Sequence, residues 1–490
     1  LKIEDITKYM TTQPTLSSKT YSPTDKCYPE ILLKEKGQIV NGTTGTELGA
    51  SEQTDFINQT TKPQVSSWTL KDTYLYKEIR CFAGVSFQAG EGSGGMRNYE
   101  IQRPQGLSVN DDFKRGKGML KELLREYDLP KFPEGNVREE CLKLMQKYEF
   151  GHMPKPPKTL HWEVVDASDK HFAGGKTLPT TVRLYGELEN GREYGFPVRV
   201  CIPVEADGKT GARVPFFIHL NFRPDIPDKY QPTEEIIDNG FAVLSFCYTE
   251  VTSDDGDFTN GLAGALFPDG KREGAEATGK LAMWAWAAMR VMDFAKEAYG
   301  DRLDFAHAAV TGHSRLGKTA LLVGAYDERF QFVFSNCAGC GGDALERYKS
   351  PEVKDADVKS EAYRPETIAD ITKNFPYWFC PNYSSFAGKE PTAMPFDQHF
   401  LTACIAPRHL YIVSAALDFW ADPKSQFMNC VAVSEVYERM GKTGLICPDR
   451  LPLIGEAFQE GNVGYSLRPG QHSQNRTDWL HYMDYMKRHM

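Results

Sequence analysis

The sequence predicts an α/β protein in three layers, a mostly parallel central sheet covered by helices on both faces, with an N-terminal extension of different character. Two observations set the sheet. Short apolar runs bounded by turn residues recur from Pro215 onward, the form a strand takes when both of its faces are buried. Segments with helical spacing alternate with these runs as far as the C-terminus, and such alternation joins strands in parallel. A third observation separates the extension. Asn41–Thr61 is rich in Thr, Ser, Gly and Asn with weak periodicity, and glycines cluster at Gly90–Gly95. The expected division is an extension over 1–110, whose role the residues do not reveal, and an α/β unit over 111–490.

Taken in order, Lys117–Tyr127 and Val137–Tyr148 place apolar residues at i, i+3 and i+4 and are predicted helices. Pro154, Pro156 and Pro157 break the chain. Val182–Tyr185 and Phe196–Pro203 alternate or run apolar, as antiparallel strands do. Pro215–Phe222 (PFFIHLNF) and Phe241–Phe246 (FAVLSF) are predicted buried parallel strands. Ala275–Ala298 is a predicted long helix, with Trp284 and Trp286 read as core. A strand at Ala306–Val310, a helix through Thr319–Ala325, strands at Phe332–Ser335 and His409–Ala415, and a closing helix Trp479–Met490 complete the pattern.

Composition excludes several classes. The 490-residue chain is 41% hydrophobic and 25% charged, ordinary for a globular protein and unlike a disordered one. No window of about 18 consecutive apolar residues exists, so no transmembrane helix is expected. A formal charge of −9 with no long basic run argues against nucleic acid or a membrane surface as partner. The eleven cysteines are scattered, with a single CxxC at Cys337–Cys340, so neither a disulfide scaffold nor a zinc ribbon is expected. That scatter leans toward a reducing compartment. The chain opens at Leu1 rather than Met, as expected of a processed or trimmed start, which is compatible with a removed secretory signal. There is no internal repeat, and no metal or cofactor is expected.

The informative segment is AHAAVTGHSRLGKTALLVGAY, Ala306–Tyr326, a strand, a Gly-bounded turn and a helix. It supports two chemistries. In a nucleophile elbow, Ser314 would project its hydroxyl above the sheet edge at the positive end of the next helix, with Gly312 and Gly317 making room. The second glycine comes one residue later than in G-x-S-x-G. In a Walker A loop, GHSRLGKT matches G-x-x-x-x-G-K-[ST] completely, and a nucleotide-binding protein would follow. No later strand ends in an Asp that clearly serves magnesium, since the next reads FQFVFSNCAG, and this favours the elbow.

A serine nucleophile needs a base, and the base needs a carboxylate. In α/β-hydrolases the chain order is Ser, acid, His. His472 lies on a Gly-led loop just before the last predicted helix and is the candidate base. Asp418 follows the strand HLYIVSAA and is the candidate acid; Asp422, before Pro423, reads as a turn residue. His313, His399 and His409 read as packing or hydrogen-bonding residues.

These residues sit within a wider pattern. WAWAAMRVMDF (Trp284–Phe294), GHSRLGK (Gly312–Lys318), DERF with SNCAGCGG (Asp327–Gly342), ETIADITKNFPYWF (Glu366–Phe379), MPFDQHFLTACIAPRHLYIVSA (Met394–Ala415), WADP (Trp420–Pro423) and RPGQHS with DW (Arg468–Trp479) follow one another in order. The span Glu139–Met490 resembles the glucuronoyl esterases, carbohydrate esterase family 15. The resemblance accounts for the late glycine and the Walker match together. It implies an α/β-hydrolase fold and a serine carboxylic ester hydrolase that cleaves esters of 4-O-methyl-D-glucuronic acid, with a glucuronoxylan–lignin fragment as partner and a secreted setting. It implies Ser314 as nucleophile, His472 as base, Arg315 as the residue stabilising the oxyanion, Lys318 and Glu366 as sugar contacts, and Trp420 as an aromatic flanking the sugar.

The blander readings are a helix-terminal lysine for Lys318, a favourable helix N-terminal charge for Glu366 and a core aromatic for Trp420. Two departures stand out. Many relatives carry a Glu acid where this chain has Cys337, which cannot orient an imidazole as an anion does; either Asp418 completes the triad or the triad is impaired. The segment near Lys349–Tyr363 is an insertion close to the expected sugar site. A catalytically weak carbohydrate-binding relative is therefore a further alternative, with completion by Asp418 the favoured reading.

Overall fold

A computed structural model describes residues 31–34, 38–41, 118–167, 172–206, 213–351 and 364–490. The Gly90–Gly95 cluster, nearly all of the Thr-rich stretch and positions 352–363 of the insertion lie outside the described residues. The chain divides into two units, Leu1–Leu107 with Pro469–Gln471, and Ser108–Arg468 with His472–Met490. In the first, strands β1 (Ile31–Lys34) and β2 (Gln38–Asn41) pair antiparallel, Ile31 opposite Asn41.

The second unit is built on a ten-stranded sheet. Its strands are β3 (Leu160–Ala167), β4 (Thr180–Glu187), β5 (Glu193–Cys201), β6 (Val214–Asn221), β7 (Ala242–Cys247), β8 (Leu303–His313), β9 (Phe332–Asn336), β10 (His409–Ala415), β11 (Ala457–Phe458) and β12 (Val463–Arg468). They lie in the order β11-β12-β10-β9-β8-β6-β7-β5-β4-β3. The run from β12 to β7 is parallel; β5, β4 and β3 add antiparallel at one edge and β11 at the other.

The apolar runs are explained by two cores, one on each face. Phe216, Ile218 and Leu220 of β6 pack in one core with Trp284 and Leu321, under helices Lys280–Ala298 and Arg315–Tyr326. Phe217, between them, enters the other core with Trp479 and Tyr482 of the closing helix Arg476–His489. A strand apolar on both faces has to be covered on both, which yields the three layers expected. Trp284 and Trp286 are core, as read from the sequence.

Several predicted bounds move. The long helix begins at Lys280, not Ala275, because Gly279 passes so close to Trp378 that a Cβ there would sit 2.2 Å from its carbonyl oxygen. β8 is longer than Ala306–Val310, and the helix after it starts at Arg315 rather than near Thr319. Helix Val137–Met145 continues into a wider turn over Gln146–Phe150, which buries Glu149. Among the described residues no helix is long and apolar enough to cross a membrane, and the nine described cysteines are free.

The register positions the site. His313 pairs with Asn336, Val413 with Asn336, and Ala415 with Arg468, so β8, β9, β10 and β12 end along one sheet edge. Loops leaving the carboxyl ends of parallel strands are where such sheets place reactive groups. Gly312 is essential to this edge, since a Cβ there would lie 2.3 Å from the Leu316 carbonyl oxygen. Gly312→Ala is expected to destabilise the protein by about 1–3 kcal/mol, the usual range for forced overpacking. Denaturant midpoints test this, and an unchanged midpoint would contradict it.

Candidate active site

β8 ends at His313 and the following helix begins at Arg315, so Ser314 is the whole turn. Its backbone sits at φ 58, ψ −126, a conformation that L-residues rarely adopt. The turn is fixed from both sides: Ser314 N–H donates to Asn336 O at 2.8 Å, while Gly317 and Lys318 N–H donate to Ser314 O at 2.8 and 3.1 Å. The late glycine has a physical cause. A Cβ on Gly317 would lie 3.1–3.2 Å from Asn336 O, Ala338 Cβ and Gly312 O, where the helix start crosses the strand ends.

This geometry overturns the Walker A alternative. A phosphate cradle needs a loop of free backbone N–H groups. Here Gly312 and His313 are strand, and Arg315–Lys318 are already helix. The Lys318 ammonium, which would reach the phosphates, instead donates to the Cys340 carbonyl at 2.6 Å and to that of Ala338.

Ser314, His472 and Asp418 come together. His472 Nε2 lies 2.8 Å from Ser314 Oγ, and Nδ1 lies 2.6 Å from Asp418 Oδ2. An ionised carboxylate can only accept, so Nδ1 carries the proton and Nε2 is left to accept from the serine hydroxyl. The Asp418 side chain is 3% exposed and that of His472 43%, so the carboxylate is dry and the imidazole reaches the surface. Beyond His472, Arg468 donates to Ser473 Oγ at 3.1 Å and to the Ser473 carbonyl, and pairs with buried Asp478 at 2.9 Å. The end of β12 thus grips the chain just past His472.

His313 packs against His472, ring centroids 4.4 Å apart. Its Nδ1–H donates to Asn336 Oδ1 at 2.7 Å, and Asn336 Nδ2 donates to the Tyr482 hydroxyl at 3.0 Å. Burial, and then the neighbouring His472, hold the His313 imidazole well below its ordinary range, so it stays neutral beside that ring. It is a packing and hydrogen-bonding residue, as the sequence suggested.

Arg315 leaves the turn and pairs through Nη1 with Asp254. Its guanidinium lies 4.7 Å from the Trp378 ring centroid and 5.5 Å from that of Phe375. Its Nε is buried without a hydrogen-bond partner among the described residues.

Glu366 and Trp420 also meet. Glu366 N–H donates to Trp420 O at 2.9 Å. Burial raises the Glu366 carboxyl above its ordinary range, with the Lys318 ammonium pulling the other way. The Arg364 guanidinium covers Trp420 at 5.3 Å. Lys318 is buried rather than a surface lysine, with two of its three donors spent on carbonyls of the loop after β9. Asp422 caps helix Pro423–Arg439 by accepting from Ser425 N–H, a structural role.

Cys337 is buried beside the dyad. Its sulfur, an Asp418 oxygen and a His472 nitrogen lie within 4.8 Å of one another. Burial, and then the Asp418 charge, push the thiol well above its usual range, so it is a neutral neighbour and not a second anion.

The chain matches the family described as fungal glucuronyl esterase over residues 188–441, more than half its length. It is 29% identical over 393 residues to a carbohydrate esterase of an unknown prokaryotic organism, covering 72% of this chain and 84% of that one. A shorter match, 32% over 167 residues and 34% of each chain, is to the 4-O-methyl-glucuronoyl methylesterase of Hypocrea jecorina. Among solved structures, the glucuronoyl esterase of Solibacter usitatus is 27% identical with a TM-score of 0.61, covering 72% of this chain and 92% of its own. With the parallel sheet and the elbow in place, this protein belongs to the glucuronyl esterase family, carbohydrate esterase family 15, and is a carboxylic ester hydrolase of α/β-hydrolase fold.

Proposed function

We propose that the protein cleaves esters of (4-O-methyl)-D-glucuronic acid, as between xylan side chains and lignin alcohols, through an acyl-enzyme on Ser314. The observation that carries this reading is the continuous hydrogen-bonded line from Ser314 Oγ through His472 to Asp418, at 2.8 and 2.6 Å, on a sharp elbow. The 4-O-methyl-glucuronoyl methylesterase among the relatives supports the substrate class. His472 Nε2 takes the Ser314 proton as Oγ attacks the ester carbonyl. The resulting oxyanion falls to the Arg315 guanidinium. His472 then protonates the departing alcohol, and later activates the water that releases glucuronate. Glu366, Trp420 and the remaining Lys318 donor would take the sugar.

Benzyl glucuronate tests the reading. A burst of benzyl alcohol, independent of ATP and magnesium, is the expected result. Glucuronate binding without turnover would instead favour the weak carbohydrate-binding relative. Arg315→Ala is expected to lower kcat by about 100-fold, the scale of a lost oxyanion donor. A rise confined to KM would remove Arg315 from that role.

A further inference from the structure

We infer that Asp254 is the positioning residue for Arg315, fixing one edge of the guanidinium so that its other donors face the developing oxyanion. The inference rests on the proposed role of Arg315 and extends it to a residue distant in sequence.

Asp254 is held more tightly than a surface ion pair requires. Its Oδ2 accepts from Arg315 Nη1 and from the Tyr248 hydroxyl at 2.9 Å, and its Oδ1 accepts from the Trp378 indole N–H at 2.7 Å. Its backbone carbonyl accepts from the Tyr377 hydroxyl at 2.9 Å. The side chain is 11% exposed. Trp378 therefore acts twice, binding the carboxylate through its N–H while its ring lies 4.7 Å from the Arg315 guanidinium. An arginine free to turn about its side-chain bonds would need reordering for each turnover; one fixed by a carboxylate and an aromatic face does not.

The loop carrying Asp254 is itself anchored. Ser253 N–H donates to Asn260 Oδ1 at 3.0 Å, and Asp257 N–H donates to Asp255 Oδ1 at 2.9 Å. At its centre sits the Lys280 ammonium, fully buried, donating to the Ser253 and Asp257 carbonyls at 2.7 Å each and to Ser253 Oγ at 3.0 Å. The first residue of the long helix thus ties this loop to the core, and Asp254 transmits that rigidity to the residue after the nucleophile.

A carboxylate beside the guanidinium also weakens its positive field, so the two effects oppose each other. Positioning predicts loss on neutralisation, while field reduction predicts gain. Asp254→Asn keeps the shape and removes the charge. The expected result is a fall in kcat of about tenfold or more with KM within about threefold, as for a group acting in the transition state. In an Arg315→Ala background the same change is expected to alter kcat by less than about twofold, because contacting residues that act together are not additive.

Tyr248→Phe removes one donor to the carboxylate without touching its charge, and serves should Asp254→Asn fold poorly. A smaller fall in kcat is expected, again absent without Arg315. If Arg315→Ala lowers kcat but Asp254→Asn costs the same factor in both backgrounds, leaves kcat unchanged or raises it, Asp254 does not position Arg315. If Arg315→Ala retains the parent kcat, the oxyanion reading and this inference fall together.

Discussion

Ser314→Ala is expected to fold as the parent does and to lose hydrolysis by about 10⁴-fold or more, because triad members act as a unit. The serine hydroxyl is the only atom removed, and its partner is His472 Nε2 at 2.8 Å. On the proposed mechanism, His472 then has no proton to take and no acyl-enzyme can form. A residual rate within about tenfold of the parent would take Ser314 out of the role. The elbow adds a second readout. At φ 58, ψ −126 a side chain is strained, by about 1–3 kcal/mol in general. Ser314→Gly should therefore be inactive yet more stable than Ser314→Ala, by about 1 kcal/mol in chemical denaturation. Equal midpoints for the two would mean that the turn stores no such strain.

How much of this was legible in the chain depends on the range over which each signal acts. The elbow was readable because its strand, turn and helix are contiguous and its glycines mark close backbone approach. Asp418 and His472 are candidates from chain order, after the strand and before the last helix, and the structure sets His472 against Ser314 and Asp418 against His472. β12, which carries the chain toward His472, was missed. Its six residues VGYSLR are all buried, with Ser466 and Arg468 among them, so neither alternation nor an apolar run announces it. Helix Pro423–Arg439 was missed for a related reason: it buries Ser425, Gln426 and Asn429, which leaves no clean apolar stripe. Asp254 had no signal, because SDDGD reads as a turn and its partner Arg315 lies 61 residues away. The resemblance points Lys318 toward substrate, but the two carbonyls that hold it have no signal in the sequence, because only folding brings their loop near.

The acid is the sharper question, because Cys337 and Asp418 both lie beside the His472 imidazole. Two groups flank the same imidazole, and charge decides between them. Asp418 lies 2.6 Å from His472 Nδ1 with its side chain 3% exposed, so little water competes for the contact. Cys337, pushed up by burial and by the Asp418 charge, stays a neutral thiol and could not stabilise an imidazolium at His472. An asparagine at 418 would fit the space but present either a neutral oxygen or an amide N–H to Nδ1. The oxygen gives no charge to the imidazolium, and the N–H favours the wrong tautomer. Asp418→Asn is therefore expected to lower kcat by roughly 10³ to 10⁴, with substrate binding little changed. Cys337→Ala should leave kcat within about threefold of the parent, since it removes neither charge nor a proton acceptor. The two variants measured side by side separate the candidates. Asp418→Asn turning over near the parent rate, or Cys337→Ala losing activity on the same scale, would show that the imidazole is oriented by something other than Asp418.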